Sequence, residues 1–180
     1  MSLQGSNRNQ PDRSDLVNVE HENLHGGALD ALEGPLGEFF AYFRRKMKPG
    51  RLLSRADVKP EELKPHLLNI VILDLVFGED GALDDVILRL IGSNVERFYG
   101  KLTGRSVTEH PNKNAAARAC KSVSLMVDLR APVLADTRGE LADGNILSIR
   151  SLYIPLAQDG QTIDKAVVYV EIKKGRPHSR

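Results

Sequence analysis

Tryptophan is absent from this sequence, cysteine occurs once, and aromatic residues make up only 5% of it. The single thiol, Cys120, excludes an internal disulfide and any zinc site built on several thiolates. With so few rings, a core must be assembled mainly from aliphatic side chains. No apolar run approaches the roughly 18 residues that a membrane-crossing helix needs. The opening stretch MSLQGSNRNQPDRSD has no apolar segment of the kind a secretory leader carries. An excess of one charge sign is also missing, since 25 Lys and Arg stand against 24 Asp and Glu for a net charge of +1. That balance argues against an acidic solvating chain and against a strongly basic nucleic-acid binder. Motifs that carry common enzyme chemistry do not occur: no P-loop, no GxSxG elbow, no HExxH and no paired cysteines. The expectation is a non-catalytic cytoplasmic protein with neither nucleic acid nor membrane as partner. What is present suffices for one core: 180 residues, 41% of them hydrophobic, suit one domain and are short for two.

Residues 1–28 are polar and are broken by Pro11, Gly26 and Gly27, with Arg8 and Arg13 set against Asp12, Asp15, Glu20 and Glu22. This composition predicts a flexible tail. From 29 to 48, Leu29, Leu32, Leu36, Phe39, Phe40, Phe43 and Met47 recur at three- and four-residue spacing, which predicts an amphipathic helix. Gly34 and Gly37 weaken its first half, and Pro35 suits a first helical turn. The apolar face of this helix must be buried, either on the domain or on a second copy of the chain. Pro60 and Pro65 then forbid one long helix and leave a short one over 60–64. The β-branched run 70–77 and the run 86–91 predict a hairpin with a longish loop. Short helices are predicted at 94–99 and after Thr103, and a longer one over 112–128. Strands at 133–136, 145–156 and 165–172 complete the order, leaving 175–180 as a basic tail. Strands grouped before and after a block of helices indicate an α+β domain over 49–174 with an antiparallel five-stranded sheet.

Three stretches carry a resemblance. RLLSRADVKPEELKPHLLNI holds Arg55, Asp57, Pro60 and Leu63 in an Arg-x-Asp-x-x-Pro-x-x-Leu pattern. LRLIGSNVERFYGKLTGRSVTE holds Arg89, Gly92, Gly100, Leu102, Thr103, Gly104 and Arg105, and YIPLAQDGQTIDKAVV holds Pro155, Leu156, Asp159 and Gly160. In this order they resemble a bacterial subfamily of the PAS domain, over about 36–174. The resemblance implies a PAS-like sensory or regulatory domain in bacterial signal transduction. It would bind a small ligand between sheet and helices, dimerise, or act on a signalling partner in trans. The alternatives are a ligand-free interaction or dimerisation adaptor and a small α+β enzyme. Most motif residues also read as fold punctuation, with Asp57 placed to accept hydrogen bonds at a helix start.

Within that frame the candidate ligand contacts are Arg89, Tyr99 and Tyr153. Arg89 lies among apolar strand neighbours and could bind an anion, or pair across the hairpin with Asp74. A phenol in the sheet, Tyr153, could hydrogen-bond a ligand or cap the core. Leu36, Phe39, Phe40 and Phe43 are the candidate partner surface, through which a homodimer would form. His66 and His110 give a poor basis for haem ligation, since His110 precedes Pro111 in a loop. The stretch LTGRSVTEH has no cysteine, which disfavours flavin–cysteine photochemistry and leaves Cys120 as a core residue. No cofactor is specified by these residues. Arg44, Arg45, Lys46, Lys48 and Arg51 read as the solvated cationic end of a helix.

Overall fold

Alternation along the strands puts aliphatic side chains on both sides of the backbone, so neither face of the resulting sheet can be left to water. The structure, a computed structural model, describes residues 16–176. Six strands form one sheet: β1 Val17–His25, β2 Ile70–Phe77, β3 Leu83–Ile91, β4 Val133–Glu140, β5 Ile146–Leu156 and β6 Lys165–Gly175. Their spatial order is β1-β4-β5-β6-β2-β3, and each neighbouring pair is antiparallel. The helices are α1 Gly34–Arg44, α2 Ser93–Tyr99 and α3 Lys113–Leu129, joined by 3-10 turns at Gly26–Ala31, Arg55–Asp57, Lys64–Asn69 and Val107–Glu109.

Even and odd positions of each strand serve different layers. Ile72, Leu134, Leu152, Ile154, Val167 and Tyr169 pack with α1 on one face. Val71, Leu73, Ala135, Tyr153, Val168 and Val170 pack on the other with Val95 of α2 and Ala116, Val123 and Met126 of α3. The Arg55–Leu63 pattern supports the first layer. Asp57 accepts the backbone N–H of Ser54 at 2.7 Å, and Leu63 is buried. That amide, more than any neighbouring cation, holds the Asp57 carboxyl below its usual range. Gly92 lets the turn from β3 into α2 sit against the preceding segment. A Cβ there would lie 2.5 Å from the Leu68 carbonyl oxygen and 2.6 Å from that of Leu67, distances that no side chain tolerates. Along the outer side of β3, Leu88 receives the Gly104 N–H at 2.7 Å and donates its own to Arg105 at 2.9 Å. The Leu102–Arg105 stretch therefore covers part of an edge that would otherwise be open.

Several expectations change. The sheet has six strands, because Val17–His25, expected within the polar tail, pairs with β4 from His25↔Val133 to Val17↔Glu140. Backbone hydrogen bonds supply that pairing, so it leaves little apolar pattern in VNVEHENLH. The remainder of the expected tail, residues 1–15, and residues 177–180 lie outside the described residues. Gly175, placed in the C-terminal tail, closes β6. The helix expected over 29–48 spans only Gly34–Arg44, with Pro35 in its first turn. The helix expected over 60–64 is a turn, and the 3-10 segment begins at Lys64 with Pro65 in its first turn.

The apolar face of α1, the expected partner surface, is covered within the single chain. Leu36, Phe39 and Phe43 are 0% exposed and Phe40 is 9% exposed within the single chain. The ring of Phe39 lies 4.9 Å from Phe43 and 5.0 Å from Tyr169, centre to centre. The spacing demanded burial, and the chain's own sheet provides it. Phe39→Ala is therefore expected to lower the unfolding free energy by about 3–5 kcal/mol in urea titrations, with no change of mass by light scattering. A variant that changed its association state while keeping wild-type stability would contradict this packing.

Candidate functional site

On the α2–α3 side, sheet and helices do not close completely. The α3 sequence puts Ala115, Ala116 and Ala119 toward the sheet, and these short side chains leave a cavity of about 120 Å³. Its walls are Val71 and Leu73 of β2, Leu88 and Ile91 of β3, Val95 and Tyr99 of α2, Ser151 and Tyr153 of β5, and Val168 and Val170 of β6. Leu102, Val107 and His110 close it from the segment between α2 and α3. The lining is overwhelmingly aliphatic, with polar groups only at Tyr99, His110, Ser151 and Tyr153. A largely apolar chamber with a few convergent polar atoms is the usual form of a small-molecule site.

The polar groups are held by their surroundings. Tyr99 stacks edge-on against His110 at 5.3 Å and against Phe98 at 4.8 Å. The Asn112 backbone N–H donates to Nδ1 of His110 at 3.0 Å. Burial pushes the Tyr99 phenol up to about 12, with the Arg118 charge acting the other way. The Tyr153 phenol is also pushed up, by burial first and then by Tyr99 and Cys120, while its hydrogen bond with Ser151 opposes the rise. Both phenols are therefore neutral hydrogen-bond donors at physiological pH. Burial, with Asp85 adding to it, likewise pushes the Cys120 thiol up, which keeps it protonated and a poor nucleophile.

A smaller annexe of about 50 Å³ shares Tyr99, Ala115, Ala119, Ser151 and Tyr153 with the cavity and adds His21, Arg118, Ser122 and Thr137. β1 reaches it from the sheet edge. Nδ1 of His21 lies 2.8 Å from the Thr137 hydroxyl oxygen, and the Ser122 hydroxyl donates to the Asn23 side-chain oxygen at 2.7 Å. Burial first, then the charges of Arg118 and Lys121, lower the pKa of His21, against an opposing contribution from Asp136.

Of the candidate contacts, Tyr99 and Tyr153 meet in this cavity and Arg89 does not. Leu88 stands opposite Leu73 and Leu90 opposite Ile72, so Arg89 is the extra residue of a bulge, and its side chain is exposed. Asp74 faces Ile87 on β3 and makes its ion pair with Lys165 of β6 at 2.7 Å. His66 lies on the opposite layer, 5.9 Å from the Phe39 ring and 5.5 Å from that of Tyr169. It shares no site with His110. Ser151 joins Tyr153 in the cavity lining, because two residues apart on a strand means one face. His21, Thr137 and Arg118 carried no comparable signal.

A family model described as PAS domain matches residues 33–168. Among solved structures, this chain is similar to an RNA-binding light-oxygen-voltage receptor at 15% identity and a TM-score of 0.42. That match covers 85% of this chain and 38% of the receptor chain, so the chain spans well under half of that protein's length. No curated protein matches the chain.

The raised phenols make stability depend on pH at the alkaline end. Free phenols ionise near 10, so above that pH the unfolded chain releases protons that the folded chain retains. The contribution is complete below about pH 10 and is lost as the pH rises through about 12 for Tyr99. In denaturant titrations over that range, the Tyr99→Phe, Tyr153→Phe double variant is expected to lose stability less steeply than the wild type. Equal slopes would show that these phenols are not desolvated.

Proposed function

The chain belongs to the PAS-domain family, and from that premise we propose that it is a sensory or regulatory domain which takes a small molecule into the cavity between sheet and helices and signals its presence to a partner protein. The observation that carries this reading is the aliphatic chamber itself. A space of about 120 Å³ is not far below the roughly 150 Å³ of an engineered apolar cavity that binds benzene, and here two neutral phenols open onto it. A protein selected only for stability has reason to fill such a space, because an unfilled cavity costs stability in proportion to its volume. Ala119 leaves room that a larger residue at the same position would occupy. Tyr99 and Tyr153 supply directional donors, so an occupant is recognised by where its acceptor atoms lie as well as by its fit.

The cavity also adjoins parts of the chain suited to passing on a change. Its helical wall is short and segmented, built from α2, the Val107–Glu109 turn and α3 positions from Ala115 to Val123. Short elements joined by turns shift at lower cost than a single long helix or the centre of a sheet. An occupant that binds one arrangement of these segments better than another moves their equilibrium by its differential affinity.

A compound present at 100 times its Kd stabilises the folded chain by about 2.7 kcal/mol, worth about 5–10 °C in Tm at this size. A library of apolar compounds near benzene in size, screened by thermal unfolding, is expected to contain such compounds. Native mass spectrometry of gently purified protein should show the corresponding noncovalent adduct. Ala119→Phe should abolish both responses. Responses that survive in A119F, or their absence from the wild type, would overturn the reading.

A further inference from the structure

The annexe differs in chemistry from the chamber it adjoins. Neither is lined by an aspartate or a glutamate. The annexe instead collects Arg118, His21 and the two phenols at its boundary with the cavity. Arg118, half-buried on α3, forms no ion pair among the described residues. Nε2 of His21 is buried without a hydrogen-bond partner. When the Thr137 hydroxyl donates to Nδ1, the neutral ring carries its proton on Nε2 and can donate it. Asp136, whose charge acts on His21, belongs to the opposite face by strand alternation and is paired with Arg150 at 3.2 Å, and Glu20 and Glu22, the chain neighbours of His21, alternate to that same opposite face. The boundary is therefore a set of donors and one guanidinium with no resident acceptor charge.

We propose that cavity and annexe form one site for a short aliphatic carboxylate, its chain lying among Val71, Leu73 and Val168 and its carboxylate held by Arg118, His21 and the phenols of Tyr99 and Tyr153. The assignment rests on the ligand-binding reading above and adds the class of molecule. A guanidinium and a carboxylate form charge-assisted hydrogen bonds about twice as strong as neutral ones. The inner chamber, at about 120 Å³, takes a chain of about five carbons when scaled to a cavity of roughly 150 Å³ that holds benzene. β1, which supplies His21, lies outside the span shared with the family. Of the groups at the anion-binding end, Tyr99, Arg118 and Tyr153 lie inside that span and His21 is supplied from outside it.

The test titrates the full chain with sodium hexanoate and, separately, with hexan-1-ol at equal chain length, following backbone amide NMR shifts. Hexanoate is expected to bind at least about tenfold tighter than the alcohol. Arg118→Gln should remove that preference, and Arg118→Lys should retain part of it. Equal affinities for the two compounds, or a preference that survives R118Q, would overturn the carboxylate assignment and leave the apolar cavity reading intact. Shifts from neither compound would overturn it as well. The thermal response of the wild type and A119F to uncharged apolar compounds then decides the broader reading separately.

Discussion

A sheet that is apolar on both faces must be covered twice, and the rest of this fold follows from how differently the two covers are made. Leu152 and Tyr153 are neighbours in β5 and both are buried, on opposite sides. The same holds for Val167 and Val168 in β6. Exposing either face would cost on the order of 25 cal/mol for each square ångström of apolar surface returned to water. One cover is aromatic, with Phe39, Phe43 and Tyr169 in contact around His66. Rings of that size fill the space between helix and strands. The other cover is α3, whose sheet-facing positions are alanines in the stretch above Val71 and Val168. Short side chains cannot reach as far, and the cavity is the remainder.

This asymmetry also explains which parts of the structure were legible in the sequence. The stripe from Leu36 to Phe43 declared a helix and declared it buried. Periodicity cannot say whether the covering surface belongs to the same chain, so the partner surface expected there is instead the domain's own interior. Tyr153 and Ser151 could be paired by parity, since alternation is fixed along an unbroken strand. Arg89 could not be placed, because a one-residue bulge between Leu88 and Leu90 breaks the parity on which such a reading depends. β1 was invisible for another reason. Edge pairing is made by main-chain groups, which every residue carries, and Val17 and Val19 remain exposed. A strand without an apolar face has no period to detect.

The missing strand matters for chemistry as well as for topology. A sheet of β2 to β6 alone would end at β4, leaving Thr137 beside an open edge and Arg118 and Ser122 without a facing wall. With β1 in place, His21 and Asn23 meet β4 and α3 from the edge, and His21 becomes part of the annexe lining. The sequence feature that best anticipates this is the pair of polar residues at alternate positions, His21 and Asn23. In isolation they resemble any solvated segment.

Held in this way, β1 occupies a particular place in the stability of the fold. It contributes only Leu24 to an apolar layer, and that residue is partly buried. Its remaining side-chain ties on the α3 side are the His21–Thr137 and Asn23–Ser122 contacts. Elements with few buried apolar contacts open at free energies well below global unfolding. Opening β1 removes the wall that His21 gives to the annexe, so the docked and undocked states differ at the site itself. Any anion held there partly by His21 binds the docked state more tightly, and by that difference alone draws β1 onto β4. The linkage runs both ways: whatever pulls on β1 from outside must weaken the site by the same factor. With an anion bound there, the annexe and the edge strand would share one equilibrium, with His21 as one of the links between them.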